Sequence, residues 1–198
     1  KTLKQIISSI KPINIVGDTD VTITGVECDS RKVAKGMLFV AVNGVAVDAH
    51  QFIPAVTAAG AAAVVCEHLP EALAQGVTYV VVENCTVALP YIAGEWYDHP
   101  SQHLTLVGVT GTNGKTTTAT LLYEMAEMMG YKAGLLSTVR NIIHQTVHDA
   151  KQTTPDPLTL NQLLHQMVQE GCEYAFMEVS SHSCVQHRID GLHFKGGL

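Results

Sequence analysis

The sequence predicts an α/β protein made of two consecutive units, on three observations. Strands alternate with helices, and the alternation runs twice along the chain. A polar break holding a proline, His99-Pro100-Ser101-Gln102, separates the two runs. The second run carries a glycine-rich turn between a strand and a helix. The expected division is residues 1–99 and 100–198, which suits domains of roughly 100 to 200 residues or somewhat less.

In the first unit, Val21 to Val26 alternates apolar and polar residues and reads as a strand. Met37 to Val42 reads as a buried strand. Phe52 to Ala59 has a helical pattern that stops at Gly60 and leads into a buried strand, Ala61 to Cys66. Tyr79 to Val82 is a further strand. Asn84 can cap a helix running to Tyr97, with Pro90 kinking or interrupting it.

The second unit starts with a strand from Leu104 to Val109 and a turn from Thr110 to Gly114. Thr116 to Met129 reads as a helix with Leu121, Leu122, Met125, Met128 and Met129 at apolar positions; the methionines have the spacing of core packing. Ala133 to Leu136 is a strand, and the polar stretch from Asn141 to Lys151 reads as a hairpin. Pro157 opens a helix over Leu158 to Gln169, with Leu160, Leu163, Leu164, Met167 and Val168 on its buried side. Tyr174 to Val179 is the last strand.

Composition bounds the function. Hydrophobic residues make up 46% of the chain, enough for a core, so intrinsic disorder is excluded. Eighteen acids against twelve Lys and Arg give a formal charge of -6, and no basic stripe provides a nucleic-acid footprint. The five cysteines, at 28, 66, 85, 172 and 184, are odd in number and contain no C-x-x-C pair. They read as small buried thiols of a reducing, cytoplasmic compartment rather than a disulfide or zinc framework. No apolar run approaches the ~20 residues that span a bilayer, so no membrane partner is expected. The chain begins at Lys1 and stops at Gly196-Gly197-Leu198, so both ends read as cut from a longer protein.

The strongest chemical signal is Thr110-Gly111-Thr112-Asn113-Gly114-Lys115-Thr116-Thr117. Glycines let the backbone turn so that successive N–H groups face phosphate oxygens, and the following helix adds the positive end of its dipole. Lys115 supplies charge for the β and γ phosphates, and the Thr116 hydroxyl suits Mg²⁺. The generic loop has glycine where this chain has Val109. The pattern reads as an ATP or GTP site. Glu178, in Met177-Glu178-Val179-Ser180-Ser181-His182, ends a strand where ligands of open α/β sheets gather, and can hold Mg²⁺ directly or through water. A strand-end Glu paired with a surface lysine is the bland reading of that residue.

Together these residues resemble the Mur ligase family, in its tripeptide-forming branch. The resemblance rests on the phosphate loop, which shares the family's variant form, and on Gly134-Leu135-Leu136-Ser137-Thr138. It rests also on Thr153-Thr154-Pro155-Asp156-Pro157 and on Met177 to His182 with Gln186 and Arg188. In the first unit, Asp29-Ser30-Arg31, Gly36, Leu38 to Ala41 and Asp48 to Phe52 are similar to the family's uridine-nucleotide domain.

The resemblance implies a cytoplasmic, monomeric, ATP-dependent amide ligase of peptidoglycan synthesis. It would add a diamino acid, L-lysine or meso-diaminopimelate, to UDP-MurNAc-L-Ala-D-Glu through an acyl phosphate. It implies a UDP-MurNAc-binding domain over 1–99 and the first part of a central ATPase domain with a mostly parallel sheet over 100–198. Carried over by motif, Cys28, Ser30 and the loop Val45-Ala46-Val47 would contact the uridine nucleotide. Thr153, Thr154, Ser180, Gln186 and Arg188 would bind the muramoyl-peptide side. Gly111, Thr112, Asn113, Gly114, Lys115, Thr116 and Thr117 would bind ATP, with Lys115 catalytic and Thr116 and Glu178 on Mg²⁺. The family's carbamoylated lysine, second-metal histidine and C-terminal domain would lie beyond Leu198, so these residues alone are expected to bind nucleotide without turning over.

Bland readings stand beside several of these. Without the resemblance, Asp29-Ser30-Arg31 is a turn with a solvated ion pair, and Thr153 to Pro157 is a helix entry. His182 reads as a positioning or structural histidine. His144 and His148 have a helical metal spacing, but the residues between them look strand-like and no third ligand follows. Rival functions are a dipeptide-adding or folylpolyglutamate-type ligase, a phosphate-loop kinase or GTPase, and a non-enzymatic nucleotide-binding module. The Ser180-Ser181-His182 and Gln186-x-Arg188 pattern argues against the first, and the missing Walker-type aspartate strand against the second.

Overall fold

The computed structural model describes residues 1–44, 48–150 and 152–198, and the chain divides into two compact units, Lys1–Trp96 and Tyr97–Leu198. In the first, α1 (Leu3–Ile6) is closed by a capping box between Thr2 and Gln5. Then come β1 (Asn14–Val16), β2 (Val26–Glu27), β3 (Leu38–Val40), α2 (Ile53–Ala58), β4 (Ala63–Cys66), β5 (Thr78–Val81) and α3 (Cys85–Trp96). The sheet order is β1-β5-β4-β3-β2, parallel except for β1, which runs antiparallel to β5. Alternation builds the core: Phe39, Val64, Cys66 and Tyr79 pack with Ile53 and Val56 of α2, while Leu38, Val40, Val65 and Val80 are buried from the other face.

Two expectations for this unit need correction. The strand expected over Val21 to Val26 reaches the sheet only at Val26–Glu27. Its start is tied instead to the N-terminus, with Leu3 N–H donating to the Val21 carbonyl and Ile23 N–H to that of Lys1. Pro90 does not interrupt α3. Proline removes a single N–H, and the burial of Leu89, Ile92 and Ala93 around it holds the helix together. Asn84 caps this helix, its Oδ1 accepting from the N–H groups of Thr86 and Val87 at 2.8 and 3.2 Å.

The second unit runs β6 (Thr105–Val109), α4 (Lys115–Met128), β7 (Ala133–Leu136), β8 (Arg140–Ile143), β9 (Thr146–Asp149), α5 (Pro157–Gln169), β10 (Tyr174–Glu178), α6 (Ser181–Val185) and β11 (Gly196–Gly197). Its sheet order is β11-β6-β10-β7-β8-β9. The strands β11, β6, β10 and β7 are parallel, and β8–β9 is the expected antiparallel hairpin. Strand alternation sorts the two faces. Leu136, Ala175 and Met177 pack with Leu160, Leu164 and Met167 of α5. Ala133, Leu135 and Phe176 pack with Ala119, Tyr123 and Ala126 of α4.

That last contact corrects the reading of α4. Its buried residues are Ala119, Tyr123 and Ala126, whereas Leu121, Met125, Met128 and Met129 are exposed, Met128 by 88%. Small alanines let the helix lie close on β7 and β10, so the long apolar side chains point outward. The cysteines need a smaller correction: Cys66, Cys85 and Cys172 are buried, but Cys28 is half-buried and Cys184 exposed, and none forms a disulfide. Among the described residues, no helix is long and apolar enough to cross a membrane.

Candidate functional site

The phosphate loop leaves the end of β6 and enters α4, as its sequence demands. Gly111 and Gly114 have φ of +132° and +83°, a region that strains any residue with a Cβ. Gly114 is the N-cap of α4 and offers no side-chain acceptor, so the first-turn amides of Lys115, Thr116 and Thr117 face the loop. Thr112 and Asn113 are exposed on the turn. Lys115 Nζ donates to the Gly111 carbonyl at 2.7 Å, which lays the ammonium across the loop's mouth. Val109, where the generic motif has glycine, is the last residue of β6. It is buried against Ala119 and Tyr123, so the strand runs one residue further before the loop turns.

Glu178 ends β10 beside the loop, because β10 lies next to β6 and pairs Glu178 with Val109. The carboxylate is only 1% exposed and it is held from β7's end. Thr138 N–H donates to Oε1 at 2.8 Å, and the Thr138 hydroxyl lies 3.2 Å from Oε2. Among the described residues no lysine or arginine pairs with it. A single oriented carboxylate with a threonine hydroxyl at a helix start fits Mg²⁺, which keeps several waters and takes phosphate oxygens rather than an all-protein cage.

The residues assigned to the muramoyl-peptide side converge on the same strand end. Thr154 is buried; its hydroxyl donates to the Glu178 carbonyl at 2.9 Å and accepts from Ser180 N–H at 3.2 Å. Thr153 Oγ1 lies 3.0 Å from Thr138 Oγ1. Ser180 caps α6, accepting from Ser183 N–H. Arg188 reaches back: Nε and Nη2 donate to Gln186 Oε1 at 2.9 and 2.6 Å, and Nη1 donates to Gln152 Oε1 and the Thr154 carbonyl at 2.8 and 2.7 Å. All three of these acceptors are neutral oxygens, so the guanidinium charge stays uncompensated by any of them. A planar fork held this way suits an anionic ligand.

In the first unit, Cys28 and Ser30 directly follow β2, at the carboxyl ends of its parallel strands. Asp29 caps the 3₁₀ turn Ser30–Lys32 and takes a two-pronged ion pair from Arg31. That fork holds the Asp29 carboxyl at about 2, well below the usual carboxylate range. Val45, Ala46 and Val47 lie outside the described residues. The segment after them is clasped by buried His50. Its Nε2 accepts from Glu67 N–H at 2.8 Å, so Nδ1 carries the proton and donates to Asp48 Oδ1 at 2.6 Å. Hydrogen bonds from the His50 N–H and ring hold the Asp48 carboxyl low.

Sequence reasoning passed over Thr138, Gln152 and His50 as site residues. Thr138 and His50 stand inside the motifs that carried the resemblance, and Gln152 directly precedes one of them, yet none has a local pattern that announces its partner across the fold. His144 and His148 do not share a helix: His144 lies in the β8–β9 turn and His148 within β9, and His144 Nδ1 lies 3.2 Å from Glu127 Oε1. His182 is exposed in α6.

Residues 109–198 match the Mur ligase middle domain, and residues 22–97 match the catalytic domain of the Mur ligase family. The UDP-N-acetylmuramoyl-L-alanyl-D-glutamate--2,6-diaminopimelate ligase of Bacteroides fragilis is 54% identical over 196 residues, and that of Cytophaga hutchinsonii 54% over 197. Each match covers 99% of this chain and 40% of the relative, so the chain spans about two fifths of the length of these curated relatives. A solved 2,6-diaminopimelate ligase of that type superimposes with a TM-score of 0.79 at 27% identity, over 100% of this chain and 39% of the other. MurF from Acinetobacter baumannii shares the fold, with a TM-score of 0.61 over 91% of this chain and 36% of that one.

Proposed function

The chain belongs to the Mur ligase family, and from that premise we propose that it provides the nucleotide-binding portion of an ATP-dependent ligase that adds a diamino acid to UDP-MurNAc-L-Ala-D-Glu. The diamino acid is 2,6-diaminopimelate, the one its relatives are named for, rather than L-lysine. One observation carries the reading. The phosphate loop after β6 and the buried Glu178 at the end of the adjacent β10 stand together, and Thr153, Thr154, Ser180, Gln186 and Arg188 are woven around that same strand end.

A carboxylate is a poor electrophile. In the proposed reaction a carboxylate oxygen of the UDP-sugar peptide attacks the γ-phosphorus of ATP and ADP departs, leaving an acyl phosphate. The amine of the diamino acid then attacks the acyl carbon, phosphate leaves, and the amine loses a proton. The loop amides and Lys115 Nζ hold the β and γ phosphates and offset charge spreading over the transferred group. Arg188 and the Thr153 hydroxyl orient the muramoyl-peptide, while buried Thr154 fixes their loop to the end of β10, so the reacting oxygen faces the phosphate loop. Thr116 and Glu178 would hold Mg²⁺, which when bound supplies charge neutralisation at the phosphate oxygens. In the first unit Cys28, Ser30 and the 45–47 segment bind the uridine nucleotide. The protein acts as a monomer in the cytoplasm.

The test uses the full-length protein. Phosphate release should require ATP, Mg²⁺, UDP-MurNAc-L-Ala-D-Glu and 2,6-diaminopimelate together, and L-lysine should replace the last poorly. Phosphate release with no acceptor amine would point to the GTPase or ATPase reading instead, and phosphoryl transfer to a hydroxyl to the kinase reading.

A further inference from the structure

We infer that Thr138 is a positioning residue that couples the muramoyl-peptide loop to the metal-binding carboxylate, so that the UDP-linked substrate and the metal–nucleotide bind with positive cooperativity. The inference rests on the proposed role of Glu178 as a metal ligand. It adds a link between the two ligands' residues that neither role contains.

Thr138 holds Glu178 in two ways. Its backbone N–H donates to Oε1 at 2.8 Å, and this bond persists whatever the side chain does. Its hydroxyl oxygen stands 3.2 Å from Glu178 Oε2 and 3.0 Å from Thr153 Oγ1. A threonine hydroxyl has one proton, so it can donate to the carboxylate or to Thr153, but not to both. The carboxylate can only accept. Two arrangements follow. In one, Thr153 O–H donates to Thr138 and Thr138 O–H donates to Oε2. In the other, Thr138 O–H donates to Thr153, and Oε2 keeps its lone pairs for a cation.

A ligand chooses between them. Thr153 stands in the loop whose neighbour Thr154 is bonded to the Glu178 carbonyl and whose carbonyl holds Arg188. An anionic group drawn in by Arg188 takes the Thr153 proton, because phosphate and carboxylate oxygens accept and never donate. Thr153 Oγ1 is then left as an acceptor, and Thr138 turns its proton from Oε2 to Thr153. The carboxylate loses a donor that competes with a metal ion. Substrate binding at one loop thus strengthens cation binding at the other, and by linkage the reverse holds equally.

Calorimetry on the full-length protein tests this. The Kd of Mg²⁺ with a non-hydrolysable ATP analogue is measured with and without saturating UDP-MurNAc-L-Ala-D-Glu. The wild type should show about five-fold or greater tightening by the UDP-substrate. Thr138→Val, which keeps the backbone N–H and the volume, should bring that ratio to within two-fold of unity, while its affinity for the UDP-substrate alone stays within about three-fold. Thr138→Ser restores the hydroxyl and should restore the ratio. A wild-type ratio in Thr138→Val, or a ratio lost equally in Thr138→Ser, overturns the inference. Thr153→Val provides a second route should Thr138→Val not fold, since removing the relay's other hydroxyl should abolish the ratio too; an unchanged ratio there also overturns it. Glu178→Gln separates the two proposals. If it weakens Mg²⁺–nucleotide binding tenfold or more while Thr138→Val keeps the wild-type ratio, only the coupling fails. If it leaves that binding unchanged, the metal role of Glu178 fails, and the coupling with it.

Discussion

The Asp29 carboxylate accepts three hydrogen bonds from Arg31: the backbone N–H and Nε on Oδ1, and Nη2 on Oδ2. The ion pair of the bland reading of this tripeptide is therefore present. Asp29 and Arg31 satisfy each other, and Ser30 is left at the turn between them. Because the ion pair favours the charged form, the Asp29 carboxyl sits at about 2, below the ~3.9 of an unfolded chain. Its contribution is complete above that unfolded value and is lost as pH falls toward the folded one. NMR titration of the side-chain carboxyl should place its midpoint near 2, and Arg31→Ala should return it to the ordinary range near 4; a midpoint unmoved by the substitution would refute the pairing. Cysteine chemistry is a second residue-scale test. Burial pushes the Cys66 thiol up to about 11 and raises Cys85 further, whereas Cys184 is exposed. At pH 8 only about a thousandth of a thiol with that value is thiolate. A thiol reagent should label Cys184 in the native protein and reach Cys66 only on unfolding. Equal rates at the two would contradict the burial.

At the scale of elements, Gly134 shows how closely a strand can be bound to its covering helix. A Cβ built there would lie 2.3 Å from Met167 Sδ and 2.9 Å from its Cγ, and Met167 is wholly buried on α5. Gly134→Ala should cost about 1–3 kcal/mol by overpacking, read from urea unfolding. Met167→Ala should cost about 2–5 kcal/mol through the cavity it leaves. The double variant should cost less than the sum, because the new methyl fills part of that cavity; simple additivity would show that the two do not meet. The elements themselves were legible where pattern and packing agree, as in β3, β4, β10, α5 and the β8–β9 hairpin. α4 was legible as a helix but not in its orientation. Its apolar positions include Leu121, Met125, Met128 and Met129, yet the sheet chose Ala119, Tyr123 and Ala126, whose small size and single hydroxyl suit close contact. β1 was missed because Asn14 to Val16 is short and exposed on an edge, with its partner β5 more than sixty residues away. The phosphate loop could be read directly, since its neighbours in sequence are its neighbours in space. Thr138, Gln152 and Arg188 could not be connected that way, because their contacts join segments that only the β6-β10-β7 order brings together.

Taken together, the two units carry a formal charge of -6 while their proposed ligands are anionic, so their affinity must come from placed groups rather than from a basic surface. Those groups are divided between the two units, and the division predicts how substitutions separate. Lys115 lies across the phosphate loop of the second unit, its Nζ donating to the Gly111 carbonyl. Ser30 stands at the strand ends of the first. In the full-length protein Lys115→Ala should lower ligation about a thousandfold or more, as loss of a group that stabilises transferring phosphoryl charge does. It should leave the calorimetric Kd for UDP-MurNAc-L-Ala-D-Glu within about three-fold of wild type. Ser30→Ala should do the opposite, raising KM for the UDP-substrate several-fold with kcat nearly unchanged, because it removes binding that ground state and transition state share. If both substitutions instead weaken UDP-substrate binding equally and lower kcat equally, nucleotide and sugar-peptide recognition are not separable between the units. The uridine and ATP roles drawn from their motifs would then have to be reassigned.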